Sequence, residues 1–265
     1  MAPNERPCRT FGWPGSKPDG AHQAFNRHRP RGDAKREQQH VDALLSRQVD
    51  GLIVVGADTH PRPSLGTNLP VPVVYAYAPS TDPMDVSVTA DNAGAAAMAI
   101  DHLLACGRRN VAHISGDRAH KSAQDRAQGA TAALAAAGAS LVGDGALFGS
   151  WNEVWGRGAA RILVERHPDI DGILCGSDQI ARGVLDALRD MGKNVPADIA
   201  VVGLDNREVL ASSARPGLTS VDMNLHRIGA TAAKSLVNAI DGTPPRGEQT
   251  VPCRLVVRGS TAPHD

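Results

Sequence analysis

From residue 33 onward, short apolar runs alternate with single helical segments, and this alternation limits the fold more than any other feature. "DGLIVVG" (50–56) is apolar after its aspartate, as a strand covered on both faces must be. "VPVVYAY" (71–77), "VSVTAD" (86–91), "RNVAHISG" (109–116), "DGILCGS" (171–177), "DIAVVGLD" (198–205) and "CRLVVRGS" (253–260) read the same way. Between them the spacing predicts helices over 36–47, with Val41, Leu44 and Leu45 on one side, over 92–107, 122–138, 153–168, 178–192 and 225–242. Single helices between strands impose right-handed crossovers and parallel sheets. The units are too many for one compact sheet. Two lobes of α/β architecture are expected, with a cleft at the carboxyl ends of their strands, where open α/β sheets bind ligands.

Residues 1–32 stand outside this pattern: rich in proline, glycine and arginine and without periodicity, they read as irregular or disordered, or as an aberrant start. Lys plus Arg and Asp plus Glu are both 28, so the chain lacks the basic excess of a dedicated nucleic-acid module. Its four cysteines lie far apart with no C-x-x-C, which argues against a metal site and for reduced thiols. No apolar run approaches the ~20 residues of a membrane span, and no secretory leader heads the sequence. The expectation is a cytoplasmic protein that needs no membrane, metal or cofactor.

No G-x-S-x-G, Walker A, G-x-G-x-x-G or H-E-x-x-H occurs, and "GDGALFG" (143–149) lacks the lysine and spacing of a phosphate loop. An enzyme is therefore not expected. His113, on an apolar strand, reads as a core histidine. What stands out is polar residues placed where strands stop and helices start. Ser177 and Asp178 follow "GILCG", Asp205 and Asn206 follow "AVVGL", and Arg126 lies on the helix beyond the strand ending at Gly116. Taken singly, each has an ordinary role: a helix cap for Ser177, Asp178 and Asn206, a surface ion pair for Arg126. Aimed together at one crevice, they suit a polyhydroxyl ligand, because carboxylate, amide and guanidinium can grip paired hydroxyls. "GSWNEVWGR" (149–157) adds Trp151 and Trp155 at i and i+4 in a chain that is only 3% aromatic. Either indole could fill core or lie flat against the C–H face of a sugar ring.

At these residues the sequence resembles a known family. "VDGLIVVG", "DNAGAAAMAIDHLLACGRRNVAHISGD", "DRAQGATAALAAAG", "CGSDQIARGVLDALRDMGKNVPADIAVVGLDN", "RPGLTSVDMNLHRIGATAAKSLVNAIDG" and "LVVRGST" resemble, in order, the effector-binding core of LacI/GalR transcription regulators over about residues 33–262. The resemblance implies a periplasmic-binding-protein-like fold crossed three times by the chain. It implies a homodimer and a small effector, usually a sugar or its phosphate. By motif, Arg126 is similar to the family's effector-gripping arginine and Asp205 to its hydroxyl-binding carboxylate. Ser177 falls where relatives place a polar contact, and Trp151 where several place a pocket aromatic; Trp155 is left to core packing. The lobes are expected over 33–115 with 222–249, and over 116–221 with 250–263.

Two departures accompany the resemblance. The family's helix-turn-helix headpiece is not found, so DNA contact is expected only through a part missing from these residues. The strand, helix and strand that open the family's core are not found either, so the first lobe is expected to be incomplete, with an exposed edge at 51–55. A sugar-binding transport receptor is the alternative reading.

Overall fold

The computed structural model describes residues 33–243 and 245–262. Among these, helix α1 (Asp33–Leu45) precedes strands β1 (Leu52–Val55), β2 (Val73–Ala76) and β3 (Val86–Ala90). Then come α2 (Asn92–Ala105), β4 (Val111–Ser115), α3 (Lys121–Ala136), β5 (Leu147–Phe148), α4 (Glu153–Arg166), β6 (Gly172–Cys175) and α5 (Asp178–Asp190). The chain continues through β7 (Ala200–Leu204), α6 (Glu208–Ala211), β8 (Thr219–Asp222), α7 (Leu225–Ile240), β9 (Glu248–Val251) and β10 (Arg254–Val256). The strands form two sheets, β1-β2-β3-β9 and β10-β8-β7-β6-β4-β5. All pairings are parallel except β10 with β8.

The six-stranded sheet is covered on both faces because its strands are apolar in both directions. Leu174, Val202 and Leu204 face the α2 and α3 side with Ile100, Leu103 and Leu134, whereas Ile173, Cys175 and Val201 face α4 and α5 with Leu163, Ile180 and Leu188. Each such side chain, fully buried, contributes about 1.5–3 kcal/mol. Helices α4 and α5 touch backbone to backbone: a Cβ on Gly183 would lie 2.0 Å from the Glu153 carbonyl oxygen, and one on Gly156 2.2 Å from that of Ile180. The four-stranded sheet packs α7 against β1, β2 and β3 through Ile228, Ala232 and Leu236.

The lobe boundaries differ from expectation at two points. The strand at 111–115, expected in the first lobe, pairs with β6 in the six-stranded sheet. The chain leaves the first sheet one strand earlier, at Asp91, whose carboxylate caps α2 by accepting the Gly94 N–H at 2.8 Å. α2 then packs on α3. Strand β9, at 248–251, runs past the expected limit of 249 and pairs with β3. Three connections thus join the sheets, at Asp91, at Met223–Asn224 and at Pro252–Cys253. They are tied sideways. The Asp91 N–H donates to the Val251 carbonyl at 3.2 Å, the Cys253 thiol to the Asp91 carbonyl at 3.6 Å, and the Asn224 amide to the Pro252 carbonyl at 3.3 Å. The Cys253 sulfur lies 4.0 Å from that of Met223.

Among the described residues β1 pairs only with β2, and Val55 is 50% exposed. An apolar strand with one open edge opens locally more easily than one hydrogen-bonded on both sides. Hydrogen exchange is expected to be faster at 51–55 and 71–75 than at 171–175 and 199–203. Equal protection in the two sheets would remove the case for a weak first lobe. Residues 1–32, expected to be irregular or disordered or an aberrant start, lie outside the described residues.

Candidate functional site

The carboxyl ends of both sheets face one another, and Arg126 is at the centre of what meets there. It projects from the second turn of α3 and is only 5% exposed. Its Nε–H donates to Asn92 Oδ1 at 2.9 Å, and one terminal nitrogen donates to the Gly176 carbonyl at the end of β6. The other terminal nitrogen lies 3.8 Å from Asp205 Oδ1, so two of the five N–H donors are committed and the fork's end is left toward Asp205. The guanidinium is 5.8 Å from the centre of the Trp151 ring. Arg126, Trp151 and Asp205 are therefore brought together.

Trp151 lies flat on Gly116, where a Cβ would come within 2.1 Å of the indole. Its ring N–H donates to His120 Nδ1 at 3.0 Å. Trp155 is turned elsewhere: it covers Gly149 and donates to the Ser115 carbonyl at 2.8 Å, a packing role. Asp205 follows β7 with φ 107°, and Asn206 follows it with φ 51°, both in the left-handed half of the map that non-glycine residues rarely occupy. Burial raises the pKa of Asp205 above the usual carboxylate range, opposed by the charges of Arg126 and Arg207.

Three of the expected contacts are engaged within the protein. Ser177 caps α5, its hydroxyl oxygen accepting the Ile180 N–H at 3.2 Å. Asp178 is fully buried, accepting the Arg207 N–H at 2.7 Å and the Ser220 hydroxyl at 2.5 Å. Asn206 accepts from Arg258 at 2.8 Å. The strained turn at 205–206 aims the carboxylate of Asp205 at Arg126, while Asp178 pins that turn from beneath and Arg258 takes the amide of Asn206. His113 is a core histidine, 1% exposed, bonded through Nδ1 to the Leu174 carbonyl at 3.0 Å, with burial pulling its pKa down to about 4.

From the first sheet, Tyr77 joins this cluster. It follows β2 with φ 72°, a strained geometry for an aromatic residue. Burial, then the charge of Asp205, raises its pKa, against the charges of Arg126 and Arg207. Tyr77, Asn92 and Ser122 line a hollow of about 230 Å³ with Thr59, Lys121 and Asp125. A larger open groove of about 550 Å³ lies outside, between α3 and β5, and shares no residue with the cluster. The two lobes touch beside the hollow: the Thr59 hydroxyl donates to that of Ser122 at 2.8 Å, and His60 meets His120 edge to face at 4.6 Å between ring centres. Among the described residues no group of three or more metal-ligating side chains could hold a metal, and no helix is long and apolar enough to cross a membrane.

Residues 100–261 match the family model described as a periplasmic binding protein-like domain. The HTH-type transcriptional regulator CelR of Thermobifida fusca is 35% identical over 217 residues, which cover 81% of this chain and 62% of that protein. Among solved structures, the transcriptional regulator CelR–cellobiose complex superposes with a TM-score of 0.68 at 29% identity, over 85% of this chain and 70% of that one. The chain belongs to the LacI family. A lac repressor dimer bound to operator and the anti-inducer ONPF is similar at a TM-score of 0.70 and 25% identity, covering 84% of this chain and 67% of that one. This LacI-family chain thus has the expected α/β fold of parallel sheets, and it spans 62% of the length of CelR.

Sequence reasoning missed Tyr77, Asn92, His120 and Ser122 in this LacI-type cleft. For one of them the signal was available. His120 lies between β4 and α3, the same kind of strand-to-helix junction that singled out Asp205 and Ser177.

Proposed function

We propose that this chain is the effector-sensing and dimerising core of a LacI-type transcription regulator, and that its effector is a sugar. The observation that carries the reading is the convergence of Arg126, Asp205 and Trp151 from one lobe with Tyr77 from the other. A guanidinium and a carboxylate can share paired hydroxyls, and an indole can cover the apolar face of the same ring. The CelR–cellobiose complex among its structural relatives favours a sugar, and regulators among its relatives favour regulation over transport.

A ligand held by both lobes biases their closure only by its differential affinity for the open and closed arrangements. Dimerisation would carry that bias to a DNA-reading headpiece outside the described residues, in the cytoplasm. Two features support a second copy of the chain. A similar lac repressor is a dimer. Val154 on α4 and Val209 on α6 are 80% and 81% exposed, on helices that both flank α5.

The test is a thermal-shift screen of the full chain against cellobiose, glucose, galactose, ribose and their phosphates. A cognate sugar at about 100 times its Kd stabilises the chain by about 2.7 kcal/mol through mass action. Sedimentation of the same samples is expected to give twice the monomer mass. No response to any sugar, with the chain folded, overturns the effector reading; a monomer mass overturns the dimer.

A further inference from the structure

The clasp between lobes contains two histidines that the effector reading does not use. His120 lies in the loop between β4 and α3, and His60 in the loop after β1. The His120 ring is tilted 30° to the Trp151 indole at 5.7 Å, and it meets the His60 ring edge to face at 4.6 Å. An indole N–H can only donate, so the bond from Trp151 to His120 Nδ1 requires a lone pair on that nitrogen. The neutral ring must carry its proton on Nε2. A second proton has to go to Nδ1, where it removes the acceptor and frees the indole.

We propose that His120 is a positioning residue, which fixes the Trp151 plate and couples that plate to lobe closure through its contact with His60. The effector arm of this inference rests on the reading of Trp151 as a sugar platform; the clasp itself does not. Without the bond, Trp151 keeps Gly116 beneath it but loses its directional anchor. Without His60, the first lobe loses its hold on the ring.

The surroundings favour the neutral state. Burial, then the nearby His60, lowers the pKa of His120, while Asp58 on the first-lobe loop and Asp117 on its own loop pull the other way. Arg126 faces the indole rather than the imidazole, and Lys121, the next residue along the chain, is paired with Asp125. Because the clasped form is the unprotonated one, it is present at neutral pH and is lost as pH falls below the ordinary histidine range. Protonation would also place a cation against the His60 ring, and so weaken the contact between the lobes.

The experiment follows the indole N–H resonance of Trp151 in the full chain labelled with 15N-tryptophan, assigned with Trp151→Phe, between pH 8 and pH 5. The wild-type resonance is expected to hold a hydrogen-bonded position at pH 8 and move to a free-indole position on acidification. His120→Ala is expected to show the free position at every pH. His120→Asn keeps an acceptor near Nδ1 and is expected to hold the bonded position throughout. His60→Ala is expected to raise the midpoint. A Trp151 resonance indifferent to both pH and His120→Ala overturns the clasp. With cellobiose as probe, His120→Ala is expected to lose about tenfold in affinity, the effect of one hydrogen bond, and His120→Asn to retain it; equal affinities overturn the positioning role. A chain that binds no sugar but shows the indole behaviour keeps the clasp and loses only the effector reading.

Discussion

Replacing Arg126 by alanine is expected to abolish sugar-induced stabilisation and to weaken the fold by about 3 kcal/mol, the low end of the range for removing one partner of a buried charge pair. The low end applies because the Asp205 side chain keeps 27% exposure and lies 3.8 Å away, so water can partly replace the lost partner. The loss extends beyond one ion pair. The Gly176 carbonyl and the Asn92 side chain both depend on this guanidinium, which joins the ends of β6 and α2 at the mouth of the cleft. Asp205, which burial already pushes toward protonation, loses the first-ranked charge opposing that shift. Arg126→Lys separates the two effects. An ammonium keeps the charge beside Asp205 but cannot span both oxygen partners and still offer a fork to a ligand. It is expected to recover much of the stability, read by urea unfolding, and little of the sugar response, read by thermal shift. An alanine variant with unchanged stability and response would show that Arg126 serves neither role.

Asp178→Asn is expected to remove a pH dependence from the stability of the chain, worth up to about 4 kcal/mol between acid and neutral conditions. Burial, partly offset by the Ser220 hydroxyl and the Arg207 N–H and reinforced by the charge of Asp205, raises the Asp178 pKa from 3.8 to about 7. Each unit of that difference is worth about 1.4 kcal/mol. Below pH 3.8 the folded and unfolded chains both hold the proton, and Asp178 imposes no penalty. Between that value and about 7 only the folded chain holds it, so stability falls as pH rises, and the loss is complete above 7. Asparagine never ionises. Its carbonyl can accept the Arg207 N–H, and its amide can donate to the Ser220 hydroxyl oxygen. Urea unfolding at pH 5 and pH 8 is the measurement: the variant is expected to gain on the wild type at pH 8 relative to pH 5. The same difference between the two proteins at both pH values would mean that Asp178 titrates as an ordinary carboxylate in the folded chain.

Apolar runs flanked by helical periodicity made β1 to β4, β6, β7 and β10 legible, because a strand covered by helices is mostly apolar. The strands that went unseen lack that signature. "TSVD" in β8 and "EQTV" in β9 have one apolar residue in four, β9 lies at a sheet edge with alternate residues in solvent, and β5 is only two residues long. Sheet membership was less legible still, since β4 follows α2 with the spacing of any crossover unit. Only the packing of α2 on α3 reveals that the chain has already changed lobes. In the site, Asp205 could be found by its place after a strand end, Arg126 by its place on the helix beyond one, and Trp151 by its spacing from Trp155 in a chain that is 3% aromatic. Asp178 shares the place after a strand end but is fully buried, and Asn206 shares it but accepts from Arg258. Tyr77 was hidden because a tyrosine closing an apolar strand reads as core until its positive φ is known.

The sulfur and backbone ties among Asp91, Met223, Asn224 and Cys253 restrict how the two halves of the molecule can travel. Three separate tethers would permit sliding, splaying and twisting. Fastened to one another, they leave a single swivel, and a lateral slip would have to break them. Whatever occupies the gap would then act on one angular coordinate, which the second copy of the chain proposed above could register.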